Sequence, residues 1–415
     1  MSQLPASMRA VVLRGRGFEN LALETVPLPV PGPGQALVRV DAAGICASLV
    51  KMIAQGNDHT YLYGWDLAQY PAILGDEGSV ALVAVGEGLS DQYVLGTRFV
   101  VQPAVDVAPI NHAERYRNNG RGVSKIACGY TLPGHLAEYM LIPEEVFSAK
   151  CLVPVPNHKM PFAHAAISEP ISCCVSGQFH HVHLHQTDLT SSRTAEPGLK
   201  NGGTCVIIGL GAMGRMHVDV ALAQSASVVI GSDPMQVRRE RTIETLSSKA
   251  SANNCKLLAV DPADLQDTVD GITDGRGVDD LIIAVGHPTV IENSLPLLGK
   301  GGVANLFGGL KKGQEFVSLN ANNIHYSETM ITGSSGGTAW DIAQTLDWMA
   351  AGSIDASQHI AKIGSLEHAI EMIHDVKDQK LDGKAVLYPH HATDSAFDVS
   401  SWTAEDEHRH LAGGG

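Results

Sequence analysis

Apolar positions change period twice between residues 204 and 233. Val206-Ile207-Ile208 is an unbroken β-branched run, as expected of a strand buried on both faces of a parallel sheet. Met216, Val220 and Leu222 follow on one helical face, and Val228-Val229-Ile230 returns to a strand. The alternation continues with a helix from about Met235, strands near 257–260, 281–285 and 303–307, and a helix near 289–298. Strands alternating with helices predict a parallel α/β sheet.

The first 150 residues have another rhythm. Short alternating runs at 9–13, 35–40, 79–85, 98–101 and 136–142 are separated by Pro- and Gly-rich turns, notably 27–34. They predict a small β-barrel or sandwich-like body. A helical segment at 162–178 leads toward the α/β region, and the polar stretch 186–202 reads as a surface loop. Beyond Gly333 the pattern gives helices at 340–350 and 366–373 and a strand at 385–387. The last twenty-odd residues are polar, acidic and His-containing, and read as a loosely held tail.

A chain of 415 residues exceeds what one core usually spans, so two domains are expected. With 44% hydrophobic and 18% charged residues it is globular, and a formal charge of −15 argues against nucleic acid or an anionic membrane as partner. No apolar run approaches the ~20 residues of a membrane span, and the N-terminal stretch lacks the apolar core of a signal peptide. Seven scattered cysteines without a C-x-x-C fit reduced thiols in a cytoplasm.

Chemistry enters at the turn after the first strand of the α/β region. Gly209-Leu210-Gly211-Ala212-Met213-Gly214 has the spacing G-x-G-x-x-G, and Asp233 ends the next strand. Gly209 permits a tight turn, Gly211 lets backbone N–H groups approach a pyrophosphate, and Gly214 allows helix and strand to pack closely. The helix N-terminus supplies partial positive charge to phosphates. Asp233 can accept from a ribose diol, which favours NAD, although Arg238 and Arg239 could offset its repulsion of the NADP 2′-phosphate.

The whole layout resembles the medium-chain dehydrogenase/reductase family, up to about residue 390. The resemblance is carried by Gly44-Ile45-Cys46-Ala47-Ser48, Leu74-Gly75-Asp76-Glu77-Gly78, Gly134-His135-Leu136-Ala137-Glu138-Tyr139, Glu169-Pro170 and the glycine turn. Glu169-Pro170 points to the polyol and sugar dehydrogenase branch. The insertion before Gly209, with His325-Tyr326 and residues 333–337, is similar to the sorbose-1-phosphate reductase group. The fold implied is α/β: a GroES-like β-rich catalytic domain (1–168, returning at 337–390) interrupted by a Rossmann domain with a doubly wound parallel sheet (169–336), then a polar tail (391–415). The activity implied is hydride transfer between NAD(P) and a polyol, ketose or sugar phosphate, assisted by zinc or another divalent metal. A homo-dimer or homo-tetramer is the assembly implied.

By the same resemblance Cys46, Asp76, Glu77 and Glu169 are the metal positions. Val285-Gly286 and Gly333-Ser334 join the turn and Asp233-Arg238 as cofactor contacts, and Ser48 matches a proton-relay hydroxyl. Each of these positions has a plainer reading: Cys46 a small buried apolar residue, Asp76-Glu77 a turn, Glu169 a helix start before proline, and Ser48 a helix N-cap. Two departures stand out. Asp76 replaces the family's usual His, and Leu49 replaces an Asp that partners that imidazole. Losing both fits Asp76 as an oxygen ligand, and equally fits a decayed metal site. A metal-free reductase and a non-catalytic dinucleotide-binding protein therefore stay open.

Other features are weaker. Residues 105–130 hold only Cys128, so no four-cysteine structural zinc is expected there. Arg115, Arg117, Arg121 and Lys125 could meet a phosphorylated sugar or form a solvated face, and Tyr61, Tyr63, Trp65 and Tyr70 could wall a pocket or anchor a loop. In residues 180–185 helical spacing would align His181 with His185, but no acid or thiol joins them at useful spacing.

Overall fold

A computed structural model describes residues 4–106 and 110–413. The chain forms two compact units, residues 1–169 with 338–415, and residues 170–337.

In the first unit, an eight-stranded sheet runs in the order Leu152–Pro154, Arg98–Val101, Glu77–Val85, Ala36–Ile45, Lys384–Tyr388, Ile360–Ser365, Phe397–Asp398, with Tyr139–Ile142 also paired to Ala36–Ile45. The strand Ala36–Ile45 is the spine. It pairs antiparallel with Glu77–Val85, with Gly44 opposite Glu77, and with Lys384–Tyr388, with Ala385 opposite Ile45. Apolar side chains from these strands form one core with Leu49, Met52 and Ile53 of the helix Ala47–Gln55.

The second unit holds six parallel strands in the order Lys256–Val260, Val228–Ser232, Thr204–Ile208, Val278–Ile283, Leu298–Leu306, Met330–Gly333. Chain order reverses between Thr204–Ile208 and Val278–Ile283, which opens a crevice at their C-terminal ends where doubly wound sheets bind ligands. Alternate residues feed the two faces: Cys205 and Ile207 pack on one side, Val206 and Ile208 on the other. This agrees with the strand–helix alternation read from the sequence. Two sequence readings change: the stretch taken as a loop contains the strand Thr194–Pro197, paired with Val182–His185, and the strands Leu21–Pro27 and Ile360–Ser365 were not anticipated.

The C-terminus is also not a loose tail within the described residues. Ala404–Gly413 is a helix, and its Glu407 is buried. Glu407 accepts hydrogen bonds from the backbone N–H of Phe162 (2.6 Å) and Ala163 (2.8 Å), and from the Tyr388 hydroxyl (2.8 Å). A carboxylate 245 residues downstream thus caps the helix Phe162–Phe179. The sequence could not show this, since an acidic tail reads as solvated until its inward positions are known.

Glu407→Ala leaves two helix-start donors and a buried phenol without their acceptor. It is expected to destabilise the first unit by about 3 kcal/mol, read as a lower denaturant midpoint for the fluorescence of Trp402, which donates its indole N–H to the Tyr388 hydroxyl.

Candidate active site

Three strand ends bring the chemistry together. Cys46 follows the end of Ala36–Ile45, Glu77 opens Glu77–Val85 and Lys384 opens Lys384–Tyr388, so the pairing registers set all three at one end of the sheet's central strands. Gly44 stands opposite Glu77, and a Cβ there would collide with Glu77 Oε2. Asp76 is presented by a sharp turn at Gly75 (φ +107°), where an added Cβ would come within 2.6 Å of the Leu136 backbone N.

One donor atom each from Cys46, Asp76 and Glu77 lies within 4.8 Å of the other two. Cys46 is the N-cap of Ala47–Gln55, its sulfur accepting the Ser48 backbone N–H at 3.4 Å. Ser48 is therefore not the cap. Its hydroxyl donates to Asp76 Oδ2 at 2.5 Å, and it shares a hydrogen bond with the Tyr130 hydroxyl. Leu49 is fully buried in the apolar core. No imidazole stands in this group for an acid at 49 to orient.

The electrostatics are unusual for the end of a buried sheet. Lys384 Nζ donates to Glu77 Oε1 at 2.5 Å, both side chains buried. Burial pulls against the Lys384 charge, but Glu77, Cys46 and Asp76 outweigh it and hold the ammonium above its usual range. Burial, then the Glu77 charge, push the Asp76 carboxyl up to about 6, against the Ser48 hydrogen bond and Lys384. Burial and the Asp76 charge push the Cys46 thiol well above its ordinary value. Asp76 Oδ1 and Glu77 Oε2 are buried without a hydrogen-bond partner. Orphaned oxygens facing a thiol are costly unless a cation occupies the space between them. The donor set is one sulfur and carboxylate oxygens, all of which zinc accepts.

Glu169 is buried and its charge reaches Cys46, but it lies outside the three-atom convergence. It is not a helix start: it sits inside Phe162–Phe179, whose interior also contains Pro170. Lys384 is the residue sequence reasoning missed. A single Lys before an apolar strand carries no signal until the register sets it against Glu77.

Near this group a cavity of about 250 Å³ is lined by Trp65, Arg115, Tyr116, Tyr130 and Glu145. The Arg115 guanidinium stacks on Tyr70 (4.5 Å) and Trp65 (5.4 Å). Tyr130 belongs to both places, lining the cavity and bonding Ser48.

In the second unit, the glycine turn lies at the sheet's reversal point. Gly209 has φ +90°, and a Cβ there would lie 2.5 Å from Val285 Cγ2. At Gly214 a Cβ would strike the Gly209 carbonyl, so helix and strand approach only because it is absent. Gly211 caps the helix Ala212–Ala223, whose first turn holds Ala212 and Met213, and nothing but Arg238 comes within 4 Å of its Cβ position. That open, donor-lined cradle fits a pyrophosphate. Asp233 accepts the Leu210 N–H (2.9 Å) and the Met235 N–H (2.8 Å), and meets Arg238 at 3.4 Å. Arg239 turns away, bonding the Asp233 carbonyl (2.7 Å) and Asp261 (3.0 Å). Val285 and Gly286 lie just beyond Val278–Ile283. Gly333 ends the edge strand, with the Ser334 hydroxyl 3.5 Å from Asn305 Oδ1.

Lys384→Met leaves Glu77 as an uncompensated buried charge and is expected to cost about 3–5 kcal/mol in chelator-treated protein. The double variant Glu77→Gln/Lys384→Met is expected to recover most of that loss, as a urea-denaturation double-mutant cycle would show.

Residues 32–157 match the alcohol dehydrogenase GroES-like domain, and residues 212–351 match the zinc-binding dehydrogenase family. The chain is 30% identical over 382 residues to mannitol-1-phosphate 5-dehydrogenase of Aliivibrio fischeri, covering 90% of this chain and 85% of that one. It is 26% identical to L-sorbose 1-phosphate reductase of Klebsiella pneumoniae, over 86% of this chain and 83% of that one. A zinc-binding dehydrogenase from Sinorhizobium meliloti, solved bound to NADP, superposes with TM-score 0.71 at 25% identity, covering 93% of this chain and all of that one. With its GroES-like and Rossmann regions matched in turn, the chain belongs to the zinc-type medium-chain dehydrogenase/reductase family and is an NAD(P)-dependent oxidoreductase of alcohols.

Proposed function

We propose that this enzyme interconverts a secondary alcohol of a polyol phosphate and the matching ketose phosphate, using a divalent metal held by Cys46, Asp76 and Glu77 with Glu169 nearby. The observation that carries the reading is the convergence of thiol and carboxylates with two orphaned oxygens beside the Ser48 hydroxyl. A zinc ion bound there would polarise the substrate oxygen. This chain's own groups do the rest. Lys384 pairs with Glu77 and holds it in a buried place, and Ser48 holds Asp76 while leaving a lone pair for the substrate hydroxyl proton. Tyr130 links Ser48 to the cavity where Arg115 stands. An Arg among aromatic rings suits a phosphate ester. Two curated relatives are named for phosphorylated substrates, which supports the choice.

NAD is the preferred coenzyme, because the Asp233 carboxylate stands where a 2′-phosphate would be repelled. A second copy is the expected partner. The edge strand Met330–Gly333 is paired on one side only, beside a cavity of about 390 Å³ lined by Leu319, Ile324 and Ile331. Phe316 and Tyr326 are exposed in the same segment. Among the described residues the cysteines are free and no helix is long and apolar enough to cross a membrane, which agrees with a cytoplasmic enzyme.

The test is oxidation of mannitol 1-phosphate and free mannitol with NAD, before and after chelation. Activity lost on chelation and restored by zinc is expected, with the phosphorylated substrate preferred at least tenfold in kcat/KM. Undiminished turnover after chelation would establish the metal-free reading instead. Cys46→Ser is expected to lower kcat/KM by about 10³-fold, ~4 kcal/mol of transition-state stabilisation. Asp233→Ser is expected to shift the NAD/NADP ratio of kcat/KM toward NADP by tenfold or more.

A further inference from the structure

The second unit buries a charge that the dinucleotide site does not use. Asp280 sits within the strand Val278–Ile283, about 1% exposed. One of its oxygens, Oδ1, lies 2.6 Å from His181 Nδ1 and 2.9 Å from His183 Nε2, and both imidazoles are buried. The other, Oδ2, accepts the Lys200 backbone N–H at 2.9 Å. The Lys200 ammonium is committed elsewhere, to Asp279 at 2.6 Å. Asp280 thus lies in the sheet interior with two imidazoles and a backbone amide as its hydrogen-bond partners. The sequence pattern that suggested a helix is a strand. Alternation puts His181, His183 and His185 on one face; the first two are buried against Asp280, while His185, at the end of the strand, is exposed and 3.1 Å from Glu196. The missing acid arrives from 97 residues downstream.

We infer that His181, His183 and Asp280 form a second metal site, for a zinc-like divalent cation, that staples the hairpin of Val182–His185 and Thr194–Pro197 to the parallel sheet. The three donor atoms lie within 4.8 Å of one another. Two imidazoles and a carboxylate are donors that zinc and cobalt accept. A tetrahedral edge at ordinary zinc bond lengths is about 3.4 Å, so the contacts at 2.6 and 2.9 Å need open by less than about 1 Å. The ion takes the place of the two ring protons, and each proton moves to the other nitrogen of its ring. In His181 that nitrogen, Nε2, is buried and without a hydrogen-bond partner. Lys200 holds the remaining carboxylate oxygen and so fixes the acid's orientation.

This site is separable from the one at Cys46 by stoichiometry. Chelator-stripped protein is equilibrated with zinc, desalted and measured by elemental analysis. The expected result is two zinc per chain for the unmodified protein, one for Cys46→Ser, one for His183→Gln, and none for the double variant. Zinc is also expected to raise the melting midpoint of Cys46→Ser, and to leave that of Cys46→Ser/His183→Gln unchanged. Because the Cys46→Ser chain keeps the His pair intact, it reads the second site even if the His183 variant folds poorly. Cys46→Ser protein that binds no zinc, or zinc content unaltered by His183→Gln, would overturn the inference whatever the fate of the catalytic proposal.

Discussion

The arrangement around Cys46, Asp76 and Glu77 in the first unit depends on a buried ion pair, Lys384 against Glu77, set by the register of three strands. Putting one ammonium among two carboxylates and a thiol leaves the group short of positive charge. Two oxygens without partners and an Asp76 carboxyl pushed up to about 6 are the visible consequences. Burial of such a group is tolerable when the geometry supplies further donors or a cation. Here the backbone and Ser48 supply some, and the space between Cys46, Asp76 and Glu77 is left for the rest. The same imbalance suits this end of the strands to a Lewis acid.

Replacing an imidazole by a carboxylate changes more than one ligand. A neutral ring needs a partner for its other nitrogen, whereas Asp76 needs a donor, and Ser48 provides it. The chain has no acid at 49, where Leu49 is packed in the apolar core. On the proposed function, a metal held here would meet a harder and more anionic donor set, which widens the range of divalent metals it could accept.

Much of this was legible beforehand. The β-branched run at 206–208, the glycine turn and Asp233 fall in one stretch of chain, so local periodicity was enough to place them. Cys46, Asp76 and Glu77 were legible as motif positions, and the structure brings them together. What escaped notice depends on pairing between distant segments. Lys384 gains meaning from its register against Glu77, Glu407 from capping a helix 245 residues away, and the His181–His183 pair from an aspartate in another strand. The 180–185 run was also read with the wrong period, because alternating histidines suit a strand as well as a helix.

The most direct test of the central claim is anomalous diffraction at the zinc edge from crystals of catalytically active protein. The account predicts a peak within about 2.3 Å of the Cys46 sulfur, shared with an oxygen of Asp76. Active crystals with no peak there, and with Lys384 alone balancing the two carboxylates, would contradict it.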